Sequence, residues 1–181
     1  MNRRRTGLWV LAITALICVG EASVSEYQVK AAFIFKFANY IRWPERSGSN
    51  EQTPFIIGVL GKDPFGRELD VVVKDQSVHG RTIVVRRLTQ PQHALVCDVL
   101  FISSSERGAL KEILAAVRGA PVLTIGDMDQ FAELGGMINL VTSEDRHIRF
   151  DINKGAVDRA GLKAGSQLLG LARVVVDETG G

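Results

Sequence analysis

Apolar and polar positions over residues 29–44 ("VKAAFIFKFANYIRWP") recur with a helical period. Advancing about 100° per residue puts Phe33, Ile34, Phe37, Tyr40 and Ile41 on one face and Gln28, Lys36, Asn39 and Arg42 opposite. The pattern predicts an amphipathic helix, charged on one side and too short to span a membrane. Trp43-Pro44 ends it, because proline disfavours helix at the preceding residue. Phe35 and Trp43 fall toward the polar arc. They are expected either to lie under a loop or to present an aromatic surface to a partner, with Asn39 beside them.

Downstream, short apolar runs alternate with helical stretches. "FIIGVLG" (55–61), "TIVVRRL" (82–88), residues 96–102 and "APVLTIG" (120–126) read as strands. After the first, Asp63 suits a helix cap and Pro64 the first helical position. "SSERGALKEILAAVRG" is a helix with capping-box spacing between Ser103 and Glu106 and a stop at Gly119. "DMDQFAELG" is a short helix. "GMINLVTSEDRHIRFDIN" alternates as two strands around a turn, and the segment after it reads as short helical turns. Strands alternating with helices predict a three-layer α/β sandwich with a mostly parallel sheet, edged near the C-terminus by an antiparallel hairpin. No linker divides it, so residues 23–181 are expected to form one domain.

The first residues stand apart. "MNRRRTGLWVLAITALICVGEA" has a basic start (Arg3, Arg4, Arg5), an apolar stretch and small residues at Gly20 and Ala22. It reads as a cleaved export signal over 1–22, with an uncleaved anchor as the alternative. Cleavage changes the charge: the loss of three arginines and Glu21 takes 22 basic and 20 acidic side chains to 19 of each. A neutral chain lacks the basic footprint of a nucleic-acid binder. Cys18 leaves with the signal, so Cys97, inside "ALVCDVLFI", has no intrachain partner and reads as core.

Catalytic patterns are missing. Ser103, Ser104 and Ser105 lack a G-x-S-x-G elbow, no phosphate loop or G-x-G-x-x-G occurs, and His79, His93 and His147 have no metal spacing. No enzyme and no cofactor are expected. In a parallel sheet, ligands bind at the carboxyl ends of strands, which here carry "GKDPFG", "SSSE" and "GDMD". Lys62, Asp63, Ser103 and Asp127 are the candidate ligand residues, although plain capping accounts for the same residues.

Three blocks converge: "EYQVKAAFIFKFANYIRWP" (26–44), "GVLGKDPFG" (58–66) and "GGMINLVTSEDRHIRFDINKGAVDRAGLKAGSQLLGLARVV" (135–175). In order and spacing they resemble the YfiR family of exported bacterial regulators across nearly the whole processed chain. The resemblance implies a periplasmic α/β protein without catalysis. It further implies that the protein binds and represses the periplasmic part of an inner-membrane diguanylate cyclase, lowering cyclic-di-GMP and restraining biofilm. Because related domains serve histidine kinases, the alternative is a small-molecule sensor acting with a kinase or an uptake receptor. A homodimer suits a regulator of dimeric membrane enzymes, and Phe35, Asn39 and Trp43 are the candidate partner surface. Redox-controlled members look as if they pair cysteines. Cys97 resembles one such position, but the "FIIGVLG" strand holds no second thiol.

Overall fold

A computed structural model describes residues 24–44 and 52–176. The export signal expected over 1–22 lies outside the described residues. Helix α1 spans Glu26–Tyr40, with Ser25 accepting from the Gln28 amide at 3.1 Å. Ile34 and Phe37 face the core as the periodicity predicts. One position departs from it: Tyr40, placed on the apolar face, is exposed. Lys30, which the same 100° step sets among the apolar positions, is 3% exposed and meets a carboxylate 97 residues away.

After the two-residue strand β1 (Ile41–Arg42), the chain lays down β2 (Phe55–Leu60), α2 (Glu68–Val73), β3 (Ser77–Val78), β4 (Arg81–Leu88) and β5 (Val99–Ile102). Helix α3 (Leu110–Ala116), β6 (Leu123–Gly126), β7 (Ile138–Thr142) and β8 (Ile148–Asn153) follow. The chain then forms α4 (Lys154–Arg159), β9 (Lys163–Ala164), α5 (Ser166–Leu171) and β10 (Val174–Val176). The main sheet runs β10-β8-β7-β6-β5-β2-β4-β3, and β1 pairs antiparallel with β9 in a small second sheet. β4, β2, β5, β6 and β7 are parallel neighbours; β7–β8 and β3–β4 are antiparallel. The α/β class and mostly parallel sheet are as expected. The β7–β8 hairpin is not the last element, because β10 adds outside β8, parallel to it.

One face of the sheet packs Ile57, Val59, Phe101 and Ile125 against Ile34, Phe37, Leu69 and Leu168 of α1, α2 and α5. The other packs Leu60, Leu100 and Ile102 against Leu110 and Ile113 of α3 and against Phe131. Phe131 explains the glycines around it. A Cβ on Gly126 or Gly136 would lie 2.6 or 2.2 Å from its ring, so only glycine lets the ring settle on the sheet. Asn153 is fully buried. Its Oδ1 caps α4 through the Ala156 amide (2.8 Å), and its Nδ2 donates to the Ala132 carbonyl (2.8 Å).

Several local expectations differ. α2 starts at Glu68, not at Pro64, because Asp63 Oδ1 accepts from the Phe65 amide (2.7 Å) and closes an Asx turn. Ser103 does cap, but what it caps is a 3-10 segment, Ser104–Ala109, and Glu106 accepts from the Ser105 hydroxyl instead of closing a box. Residues 127–135 form turns rather than a helix, and Cys97 precedes β5 instead of lying within it.

Candidate functional site

At the carboxyl ends of β2, β5 and β6, the structure brings Lys62, Asp63, Ser103 and Asp127 to one rim of the sheet. Asp63, Ser103 and Asp127 are engaged internally, and Lys62 through its backbone amide, with its side chain exposed. The Lys62 amide donates to Ser105 Oγ (2.9 Å), and the Ser103 amide donates to the Leu60 carbonyl (3.0 Å). Asp63 accepts from Arg87 Nε (2.9 Å), whose guanidinium also grips Asp70 (2.8 Å). These bonds hold the Arg87 pKa up, the Asp70 bond most, and hold Asp70 down. A Cβ on Gly61 would sit 2.5 Å from Ser105 Oγ and 2.6 Å from Glu106 Oε1, so the two loops already touch.

Asp127 is closed off by α1. Lys30 Nζ lies 2.9 Å from Asp127 Oδ2, both side chains are 4% exposed, and the Tyr27 hydroxyl donates to the same oxygen at 3.0 Å. Glu26 reaches Lys30 at 2.6 Å and accepts from Thr142 Oγ1 at 2.8 Å. Burial alone would lower the Lys30 pKa, but its bonds to Glu26 and Asp127 raise it on balance. The Tyr27 hydroxyl is pushed up, by burial first and then by the Asp127 charge. The first turns of α1 thus occupy the crevice in which a doubly wound sheet would hold a ligand.

The opposite, amino end of the sheet is open. A hollow of ≈250 Å³ is lined by Arg42, Trp43, Phe55, His79 and Arg81. His79 and Gly80, with φ of 50° and 79°, form the two-residue turn between β3 and β4. That turn sets the imidazole against Trp43, 6.2 Å between ring centroids, with Nε2 donating to the Ile41 carbonyl at 3.2 Å. Trp43 stands edge-on to Phe55 at 5.2 Å. Arg81 lies over the Phe55 ring (5.2 Å) and grips Asp98 with two bonds of 3.0 and 2.9 Å. It also donates to the Thr53 and Pro54 carbonyls. Trp43 Nε1 is buried without a hydrogen-bond partner; Asn139 Oδ1 is the other such side-chain atom among the described residues. The hollow itself is aromatic and basic, with Arg42 exposed at its side.

The partner residues read from the sequence lie along α1 toward this hollow. Asn39 is exposed, its Nδ2 donating to the Phe35 carbonyl at 2.9 Å. Phe35 and Trp43 are half-buried against the main core, more covered than residues facing solvent. Phe55, His79, Arg81 and Asp98 escaped sequence reasoning. The signal for His79 was the His-Gly pair between two β-patterned segments.

Comparison with known proteins adds the family. A family model described as YfiR/HmsC-like matches residues 27–173. The chain belongs to the YfiR/HmsC-like family. Membership supports a general role as a periplasmic regulator of signalling. None of the helices within the described residues is long and apolar enough to cross a membrane. Among solved structures, a conserved domain protein from Vibrio cholerae O1 biovar El Tor is similar, with TM-score 0.59 at 14% identity. The match covers 82% of this chain but only 60% of that one, and at this identity it concerns the fold alone. An ABC domain from Streptococcus pneumonia, solved in complex with L-Trp, matches at TM-score 0.49 and 10% identity, over 67% of this chain and 55% of its own.

Proposed function

We propose that this YfiR/HmsC-like protein is a non-catalytic periplasmic regulator that binds the periplasmic part of an inner-membrane diguanylate cyclase and represses it, lowering cyclic-di-GMP. Its YfiR/HmsC-like membership supports regulation; the choice of a cyclase is our reading. The observation that carries the site is the contrast between the two ends of the sheet. The carboxyl-end crevice, with Lys62, Asp63, Ser103 and Asp127, is engaged by the chain's own groups, which leaves those residues a supporting role. The amino end offers an aromatic, basic hollow lined by Arg42, Trp43, Phe55, His79 and Arg81. In this reading Phe35, Asn39 and Trp43 lead a partner segment toward that hollow. An acidic loop of the membrane protein then meets Arg42 beside the Trp43 ring.

The test pairs a tagged chain with its His79→Leu and Arg42→Glu variants in the native host. Co-purification of a membrane cyclase from detergent-treated envelopes, weakened by both variants together with a rise in cyclic-di-GMP, supports the proposal. A histidine kinase or uptake receptor captured in its place moves the assignment to the sensor reading. Unchanged cyclic-di-GMP on deletion of the gene refutes cyclase repression.

A further inference from the structure

β4 carries a stretch of open sheet edge. β3 lies along its outer side at Arg81 and Thr82 only, and before Ser77 the chain belongs to α2 and the turn after it. From Ile83 to Leu88, β4 is paired with β2 alone.

The ladder bonds say which groups are free. The Gly61 amide donates to the Leu88 carbonyl at 3.2 Å, so Leu88 faces β2. By alternation Val84 and Arg86 face β2 as well, and Ile83, Val85 and Arg87 face away. The far side of β2 agrees. The Ile56 and Leu60 carbonyls accept from the Asp98 and Ser103 amides, which leaves Ile57, Val59 and Gly61 turned to β4. The β3 pairing reaches as far as Ile83. Beyond it, the outward amide and carbonyl groups of Val85 and Arg87 have no hydrogen-bond partner among the described residues.

The side chains beside these groups select what could pair there. Val84 and Arg86 are exposed on the face that also holds Leu88 and the 3-10 turn Pro91–Val96, whose Leu95 and Val96 are exposed too. On the other face Ile83 and Val85 pack half-buried on the main core, and Arg87 is held by Asp63 and Asp70. Arg86 has no carboxylate partner among the described residues. A second copy is unsuited. The symmetric antiparallel register that joins the free residues, Val85 to Arg87 of the other copy, sets Arg86 directly opposite itself. The arginine thus guards the edge against its own kind and leaves it complementary to an acidic strand.

We propose that the free edge of β4 takes up an extended segment of another protein, antiparallel to β4, with a carboxylate opposite Arg86 and an apolar side chain opposite Val84. In that register Val85 and Arg87 exchange the hydrogen bonds. Val84 and Arg86 sit in the closer, non-hydrogen-bonded pairs, where side chains interact most. Strand addition of this kind takes affinity from the main chain and specificity from alternate side chains. The inference rests on the regulatory reading only for the source of the segment, the periplasmic part of the membrane partner.

Two capped heptapeptides test the edge by NMR titration of the purified chain. Both are threonine peptides with valine two residues to either side of the centre; one has glutamate at the centre, the other lysine. The glutamate peptide shifts the Val85 and Arg87 amides and slows their exchange with solvent, with a dissociation constant on the order of 1 mM, and the lysine peptide binds at least about tenfold more weakly. Arg86→Glu reverses that preference. Val85→Pro removes an outward amide that β2 does not use and abolishes binding. Equal binding of the two peptides, a response confined to other residues, or no response at millimolar peptide overturns the proposal. If Val85→Pro melts the fold, the Arg86→Glu reversal decides. The source is tested apart from the edge. Capture of the membrane cyclase undiminished by Arg86→Glu overturns the partner's segment as the occupant and leaves the regulatory reading intact. Unchanged cyclic-di-GMP on gene deletion sinks that reading, while the peptides still decide the edge.

Discussion

Breaking the lock between Lys30 and Asp127 should cost more than any surface ion pair, and its double variant should cost far less than the two single variants together. Both side chains are 4% exposed, at 2.9 Å. Removing one partner of a buried pair typically costs about 3–5 kcal/mol, because the other charge stays behind without compensation. Asp127→Leu leaves Lys30 with Glu26, so its cost sits near the bottom of that range, about 3 kcal/mol. Lys30→Met leaves the Asp127 carboxylate with only the Tyr27 hydroxyl, at about 4 kcal/mol. With both replaced no charge is stranded. The remaining cost is the Tyr27 hydroxyl without its acceptor, about 1–2 kcal/mol. The cycle therefore closes with a coupling of roughly 5 kcal/mol. Urea melts at neutral pH measure all four chains. The pH dependence supplies a second readout. A raised Lys30 pKa gives stability that is complete below the unfolded value, near 10.5, and is lost as the pH climbs through the folded one. Wild type should lose stability on the alkaline side and Lys30→Met should lose less. Additive single costs, or an Asp127→Leu penalty below about 1 kcal/mol, would refute the argument that this pair is buried and coupled.

Other outcomes follow from particular contacts. Gly136→Ala drives a methyl into Phe131 and should cost about 1–3 kcal/mol by denaturant melt, with most of it recovered when Phe131→Leu is added. Gly58→Ala should cost about 1–3 kcal/mol by denaturant melt, since a Cβ there falls 2.6 Å from Cys97 Sγ and 3.1 Å from Leu88, and Cys97→Ala should recover part of it. Arg81→Lys should lose about 2–4 kcal/mol, because an ammonium cannot reproduce the paired Asp98 bonds together with the two carbonyl bonds. Phe35→Ala should cost on the order of 1–2 kcal/mol in thermal unfolding as well as weakening partner binding, since the ring is half-buried.

The alternation of strands and helices was legible because each central strand is a continuous apolar run with turn signals at both ends. Where the reading departed from the structure, a distant residue decided. Lys30 falls on the apolar face by period, but nothing local names the partners, Asp127 and Glu26, that let the core accept its charge. Pro64 reads as the start of a helix until Asp63 turns inward on the Phe65 amide. The segment ending in Val174 and Val175 reads as short helical turns until β8 takes these valines up as a strand. The hollow was half legible: Trp43 broke the helical pattern, but its walls come from Phe55, His79 and Arg81, which no local rule brings together.

Helix α1 runs against the strands, over 15 residues or about 22 Å. Its first turn is fastened beside Asp127 and its last leads into Trp43. The chain therefore enters the fold at one pole and shows its hollow at the other. The hollow thus opens roughly a helix length from the pole where Lys30 is locked to Asp127, so a partner seated there leaves that lock untouched.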